Sequence, residues 1–276
     1  MLRKHKIYLT AGGCLASLVA IVLLFSHKET TDNEHHVPRD YPEIVESGIL
    51  RAVTEYNAIS YHASGDTVEG FDYDLLHAFA DEKKLRLVMI PEMSFEKRLD
   101  GICSGAYDIL ATGTAITSQS KDSLLFTRHI LLGKQVLVQR KKENENDSLY
   151  INNLLELGHK NLHVIGNSPA LLRIHNLINE IADTIYIQEV KDYGPEQLLA
   201  MVSGGDIDYA VCDENIAQVS LPQFTNLDIS KDISFTQFYA WGVNKRSTIL
   251  LDSLNSWLER YVMTDEYKKL YKKYFN

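Results

Sequence analysis

The sequence predicts an α/β protein of two similar lobes behind an N-terminal apolar segment. Three observations carry that reading. Apolar runs of strand length alternate twice with amphipathic helices, one turn recurs at the same spacing in both halves, and a long uncharged run precedes everything else. At 276 residues the chain is long enough for two modest domains with well-buried cores.

The uncharged run comes first. Residues 7–25 hold no charged side chain and follow Arg3-Lys4-His5-Lys6. At about 1.5 Å per residue this stretch spans roughly 28 Å, close to the hydrocarbon thickness of a bilayer. Basic residues on its short N-terminal side place that end in the cytoplasm and export the rest of the chain. The expectation is an uncleaved transmembrane helix over residues 1–28. Two other readings stay open. A cleaved signal peptide lacks a small-residue cut site in Leu23-Leu24-Phe25-Ser26-His27, and a lipoprotein at Cys14 has most of its apolar run after the cysteine. Residues 29–42 are polar, contain Pro38 and Pro42, and read as a stalk.

Charge agrees with export of an acidic body. The formal net charge is −9, but residues 1–28 carry four basic residues and no acid, which leaves 24 basic against 37 acidic residues beyond them. Nucleic acid is excluded as a partner, because phosphate contacts need a basic surface.

In the first half, residues 49–54 form a strand-like apolar run, and Phe71, Leu75, Ala78 and Phe79 share one helical face. A strand over 85–90, a helix carrying Phe95, Leu99 and Ile102, and a strand over 107–111 come next. This order implies a parallel sheet covered by helices. The pattern restarts with a strand over 162–165 and a helix opening at Ser168-Pro169, where proline suits the first turn. After these stand a strand over 185–190, a helix around 198–202 and a strand over 209–212. The recurring turn is Ser104-Gly105 leading to Asp108, then Gly204-Gly205 leading to Asp208. Two amphipathic helices close the chain, the second with an aromatic stripe of Tyr267, Tyr271 and Tyr274 that reads as packing.

Several short blocks, in this order and spacing, carry a family resemblance: Gly48-Ile49-Leu50-Arg51, Gly70-Phe71-Asp72-Tyr73-Asp74-Leu75, Gly113-Thr114-Ala115-Ile116-Thr117, Asp208-Tyr209 leading to Asp213, and Tyr271-Lys272-Lys273-Tyr274-Phe275. From about Gly48 to Phe275 the chain resembles family 3 of the bacterial solute-binding proteins. Within that family it is most similar to the N-terminal binding module of membrane-bound lytic transglycosylase F. The resemblance implies a type II periplasmic-binding-protein fold that closes over a small ligand. Lobe 1 would comprise residues 43–131 and 239–276, lobe 2 residues 132–238, with crossing strands near 129–133 and 236–239. It also implies a periplasmic protein held at the inner membrane, with a permease or a cell-wall enzyme as partner.

Amino-acid binders of the family grip the ligand's carboxylate with an arginine and its ammonium with an aspartate. Here Asp213 occupies the aspartate position, while Ser120 stands where the arginine would be and Ala115 where a helping threonine would be. A guanidinium is not replaced by a serine without changing the ligand. The implied ligand-binding set is Glu55, Phe95, Gly113, Thr114, Ser120, Asn167, Ser168 and Asp213. Each has a structural alternative: Asp213 could cap the helix after it, and Asn167-Ser168 is a competent cap before Pro169.

No nucleophile elbow, zinc-protease motif or phosphate-cradling loop is present, so no cofactor, metal site or catalytic residue is expected. His159 and His163 are four apart but straddle a loop-to-strand junction. The transglycosylase's catalytic domain has no counterpart here, and no glycan cleavage is expected. Capture of a solute for transport or sensing is the leading reading. A regulatory module for cell-wall enzymes is the alternative, and a dehydratase-like enzyme a remote one, since the fold also hosts dehydratases.

Overall fold

In the computed structural model of the chain, residues 36–275 apart from 117, 146 and 192 are described, and residues 36–276 form one contact unit. The expected membrane helix and the first half of the expected stalk lie outside the described residues. Among those described, no helix is long and apolar enough to cross a membrane.

Two sheets organise the fold. The first is seeded by the early apolar runs, β1 (Ile49–Thr54), β4 (Arg86–Pro91) and β5 (Ile109–Ala115), which pair in parallel. A short hairpin, β2 (His62–Ser64) and β3 (Thr67–Glu69), lies between β1 and the next helix. The covering helices are α1 (Tyr41–Ser47), α2 (Phe71–Glu82) and α3 (Phe95–Ser104). The short helix α4 (Ser118–Ser123) leads into β6 (Leu124–Phe126). The second sheet joins β9 (Asn161–Ile165), β10 (Tyr186–Val190) and β11 (Tyr209–Asp213) in parallel, covered by α5 (Ala170–Ile181), α6 (Pro195–Gly204) and α7 (Glu214–Ser220).

Neither sheet is purely parallel, which corrects the expectation from the β/α alternation. In the second sheet β8 (Gln135–Arg140) and β12 (Leu227–Asp232) run antiparallel to their neighbours, giving the order β10-β9-β11-β8-β12. In the first, β13 (Gln237–Asn244) inserts antiparallel between β5 and β6. The chain passes between lobes where β7 (Leu131–Gly133) pairs with the start of β13, Gln237 facing Gly133 and Tyr239 facing Leu131. The closing helices α8 (Thr248–Tyr261) and α9 (Asp265–Phe275) pack back on lobe 1, where the aromatic stripe surrounds the buried ring of Phe71 at centroid distances of 5.0–6.4 Å.

The end of the expected stalk belongs to the body. Asp40 caps α1 with a capping box through Glu43 and accepts the Leu250 N–H at 2.8 Å, tying α1 to α8. Arg39 pairs with the fully buried side chain of Asp108 at 2.6 Å. A residue so fixed cannot serve as a free linker. Cys103 and Cys212 are both free thiols.

Candidate ligand-binding cleft

A parallel strand delivers the residues just past its last position to the crevice at the carboxyl edge of the sheet. Glu55 comes directly after β1, Thr112 to Ala115 end β5, Ser168 stands shortly beyond β9 and Asp213 ends β11. The two sheets face one another there and line a partly open cavity of about 100 Å³. At ~10–15 Å³ per water-sized sphere this holds roughly seven to ten small atoms, the scale of an amino acid.

Six of the eight expected residues line it: Glu55, Phe95, Gly113, Thr114, Ser168 and Asp213. Two do not. Ser120 lies in α4, away from the cavity wall, because the chain turns into a short helix directly after β5. Asn167 is exposed at the mouth, where its side-chain amide donates to Glu96 of the opposite lobe at 3.0 Å. A second link across the mouth runs from the Ala58 N–H to Glu196 at 2.7 Å. Burial pushes the Glu196 carboxyl up, and the charge of Glu55 adds to the shift.

Asp213 does not cap α7 with its side chain. Its Oδ1 accepts the Tyr239 hydroxyl at 2.5 Å instead. Enclosure by both lobes raises its pKa to about 6; the Tyr239 hydrogen bond works against that rise and the Glu55 charge with it. Also on the cavity wall, Asp72 accepts from Trp241 Nε1 at 2.6 Å, and burial raises its pKa to about 6 as well.

The residue that sequence reasoning missed is Arg98. It sits on α3 one turn after Phe95, lines the cavity and is only 3% exposed. Its Nη1 donates to the carbonyls of Glu92 and Met93 at 2.6 and 3.0 Å, and its Nη2 donates to Glu55 Oε1 at 3.1 Å. The guanidinium lies 5.7 Å from the centre of the Phe95 ring. The signal was present: an arginine three residues after Phe95 stands on the apolar side of a helix, where a charge requires a partner. The partner, Glu55, is far along the chain, and that hid the pairing.

Four buried polar atoms of cavity-lining residues lack a hydrogen-bond partner among the described residues: Asp72 Oδ2, Arg98 Nε, Gln135 Oε1 and Ser168 Oγ. Buried polar groups are almost always paired, so these atoms are open to a water or a ligand. The Cys212 thiol, also on the wall, is pushed well up by burial and stays protonated, a packing group and not a nucleophile.

Comparison with known proteins agrees with this architecture. The sequence profile of the bacterial extracellular solute-binding proteins, family 3, matches residues 50–276. Among curated relatives, a membrane-bound lytic murein transglycosylase F of Saccharophagus degradans is 27% identical over 228 residues, 83% of this chain and 44% of that protein. The counterpart in Alteromonas mediterranea is 27% identical over 230 residues, 81% of this chain and 48% of that protein. The chain thus spans about half the length of the curated relatives it matches. Among solved structures, a mutant of the arginine-binding protein ArgBP from T. maritima superposes with a TM-score of 0.74 at 21% identity, covering 85% of this chain and 98% of that one. An ancestral amino acid-binding protein, a precursor of cyclohexadienyl dehydratase, does so with 0.73 at 20%, covering 85% and 99%. At these identities the likeness is one of fold.

Proposed function

The chain belongs to the bacterial extracellular solute-binding proteins, family 3, and from that premise we propose that it captures a small, amino-acid-like solute between its lobes outside the cytoplasm. The observation that carries the reading is the convergence of unpartnered buried polar atoms from both lobes on one cavity. An amine or amide on the ligand would meet Asp213. The apolar wall, which includes Phe95 and Ile165, would hold the carbon skeleton.

The neighbouring structures include proteins that bind arginine or other amino acids, which supports a ligand of that size. The likeness to transglycosylase F supports a second reading, in which the captured solute derives from the cell wall and a wall enzyme responds to closure. The uncharged run at residues 7–25 supports tethering at the membrane, so a permease or a wall enzyme beside it would be the partner. Binding without turnover suits the site, because Glu55 is engaged by Arg98 and Asn57, and Asp213 by Tyr239.

The test is a thermal-shift screen of amino acids, amino amides, short peptides and muropeptides on the full chain in detergent, with calorimetry on the best hit. Asp213→Ala should weaken that ligand by about ten- to a hundredfold, the effect of losing a hydrogen bond to a charged partner. Unchanged affinity would leave Asp213 as a structural partner of Tyr239 and defeat the assignment. A muropeptide as best hit would favour the cell-wall reading.

A further inference from the structure

The two lobes repeat one part at the mouth of the cleft. α3 of lobe 1 and α6 of lobe 2 hold the same place in the β/α order, and each carries a glutamate as its second residue, Glu96 and Glu196. Both glutamates reach across. Glu196 Oε1 accepts the Ala58 N–H at 2.7 Å, and Glu96 Oε2 accepts the Asn167 side-chain amide at 3.0 Å. The partners correspond too: Ala58 lies in the loop after β1 and Asn167 in the turn after β9, each the first strand of its parallel set. None of these four residues lines the cavity. Two features of the backbone serve the same contact. Asn167 holds φ 55°, a left-handed conformation that costs a non-glycine residue free energy, and its N–H is fixed by Glu189 at 3.1 Å. Gly194, directly before α6, has φ −90°, which any residue can adopt. What crowds a side chain there is the opposite lobe: a Cβ would fall 2.6 Å from Met93 Cε, besides 2.9 Å from the end of Gln197.

We infer that these residues form a reciprocal latch, in which each lobe extends a glutamate to the other, and that this latch sets how readily the lobes part. Glu96, Asn167, Gly194 and Glu196 are positioning residues, which act on a solute only through the joining of the lobes. A contact that favours the joined lobes raises the population able to hold a solute, so its loss weakens every solute by one common factor. The two halves are unequal. Glu196 is partly buried and Glu96 exposed, so the Glu196 half contributes more. The inference rests on the solute-capture reading in one respect, that the lobes part to admit a solute.

Hydrogen–deuterium exchange on the full chain in detergent, with no solute added, tests the latch. The Ala58 N–H is the reporter, because the neighbouring amides of Asn57, Ile59 and Ser60 are bonded within lobe 1. In Glu196→Ala it should exchange about ten- to a hundredfold faster, and Glu196→Gln, which keeps a neutral acceptor, should recover most of that protection. Glu96→Ala touches nothing near Ala58, yet it should quicken the same amide about three- to tenfold by letting the lobes part. Gly194→Val should quicken it about tenfold, and Met93→Ala added to Gly194→Val should return it to within about twofold of the wild type. Should Gly194→Val not fold, Gly194→Ala serves in its place, with a change of about threefold in the same direction. Exchange in β12, far from the mouth, should stay at the wild-type rate in every variant.

Wild-type exchange of the Ala58 N–H in Glu96→Ala would overturn the reciprocal latch, since the two halves would then act separately. Wild-type exchange in the Gly194 variant, or fast exchange that Met93→Ala does not slow, would overturn the part given to Gly194. These rates are read without a solute. Failure of every solute in the screen would therefore overturn solute capture and leave the latch standing.

Discussion

In lobe 1 the turn after α3 runs from Gly105 to Asp108; in lobe 2 the turn after α6 runs from Gly205 to Asp208. Both glycines end their helix in the left-handed region, at φ 86° and 83°. Both aspartates meet an arginine from the same sheet, Arg51 for Asp108 and Arg140 for Asp208. The surroundings then diverge. Asp108 has no exposed side-chain surface and holds Arg39 as well as Arg51, besides the Arg51 backbone N–H at 2.8 Å. Asp208 has one arginine at 2.5 Å and 47% of its side chain in solvent. The same short motif is therefore a buried junction for the N-terminal strap in one lobe and a surface pair in the other. Burial, and not the motif, decides what the interaction contributes.

The largest expected effect comes from that difference. Asp108→Ala leaves two guanidinium groups without their anion at a buried site and should lower stability by about 3–5 kcal/mol. Asp208→Ala, at a solvent-screened pair, should lower it by less than about 1 kcal/mol. Urea unfolding with an unchanged slope would measure both, and equal losses would break the comparison.

The cleft carboxylates sharpen it next. Asp72 in lobe 1 and Asp213 in lobe 2 are each raised to about 6, above the ordinary aspartate value of 3.8. Between those values the folded chain binds more protons than the unfolded one. Their contribution is thus fully present below about pH 4 and lost as pH rises through about 6. Each contributes up to about 3 kcal/mol across that window. Asp72→Asn and Asp213→Asn should each flatten the decline in melting temperature of the ligand-free protein between pH 4 and 6.5. A decline as steep as that of the wild type in either variant would contradict the burial argument for that residue.

The smallest effect separates the two glycines. A Cβ at Gly105 would meet backbone of the strap, the Pro38 nitrogen, at 2.3 Å, whereas at Gly205 the nearest atom is the flexible end of Arg140 at 3.9 Å. Gly205→Ala should lower stability by only the left-handed backbone cost, about 1–2 kcal/mol. Gly105→Ala adds a backbone displacement and should lose more. Identical melting temperatures for the two variants would show that the strap yields freely.

Much of the fold was legible because it is written in local pattern. The alternation of apolar runs with helical faces foretold β1, β4, β9, β10 and the helices between them, since a side chain's face depends only on its spacing from near neighbours. The repeated Gly–Asp turn was readable for the same reason. The antiparallel strands were harder. Gln135–Arg140 offers just three consecutive apolar residues, and nothing local says that β13 will return between β5 and β6. In the cleft, Glu55, Phe95, Gly113, Thr114, Ser168 and Asp213 were found from the ends of strands and from family likeness. Ser120 falls on α4 and Asn167 in the turn after β9, both off the cavity wall, because a match along the chain does not fix where a short helix or a turn sets its side chains.

What the sequence determined by itself was periodicity, turn chemistry and the order of elements, each set by residues a few positions apart. The tertiary structure alone decided what each buried carboxyl group meets. Glu55 meets Arg98 across 43 positions, Asp213 meets Tyr239 across 26, and Asp72 meets Trp241 across 169. The energy of a buried charge depends on its partner and on the water it has lost, and both are properties of the folded neighbourhood.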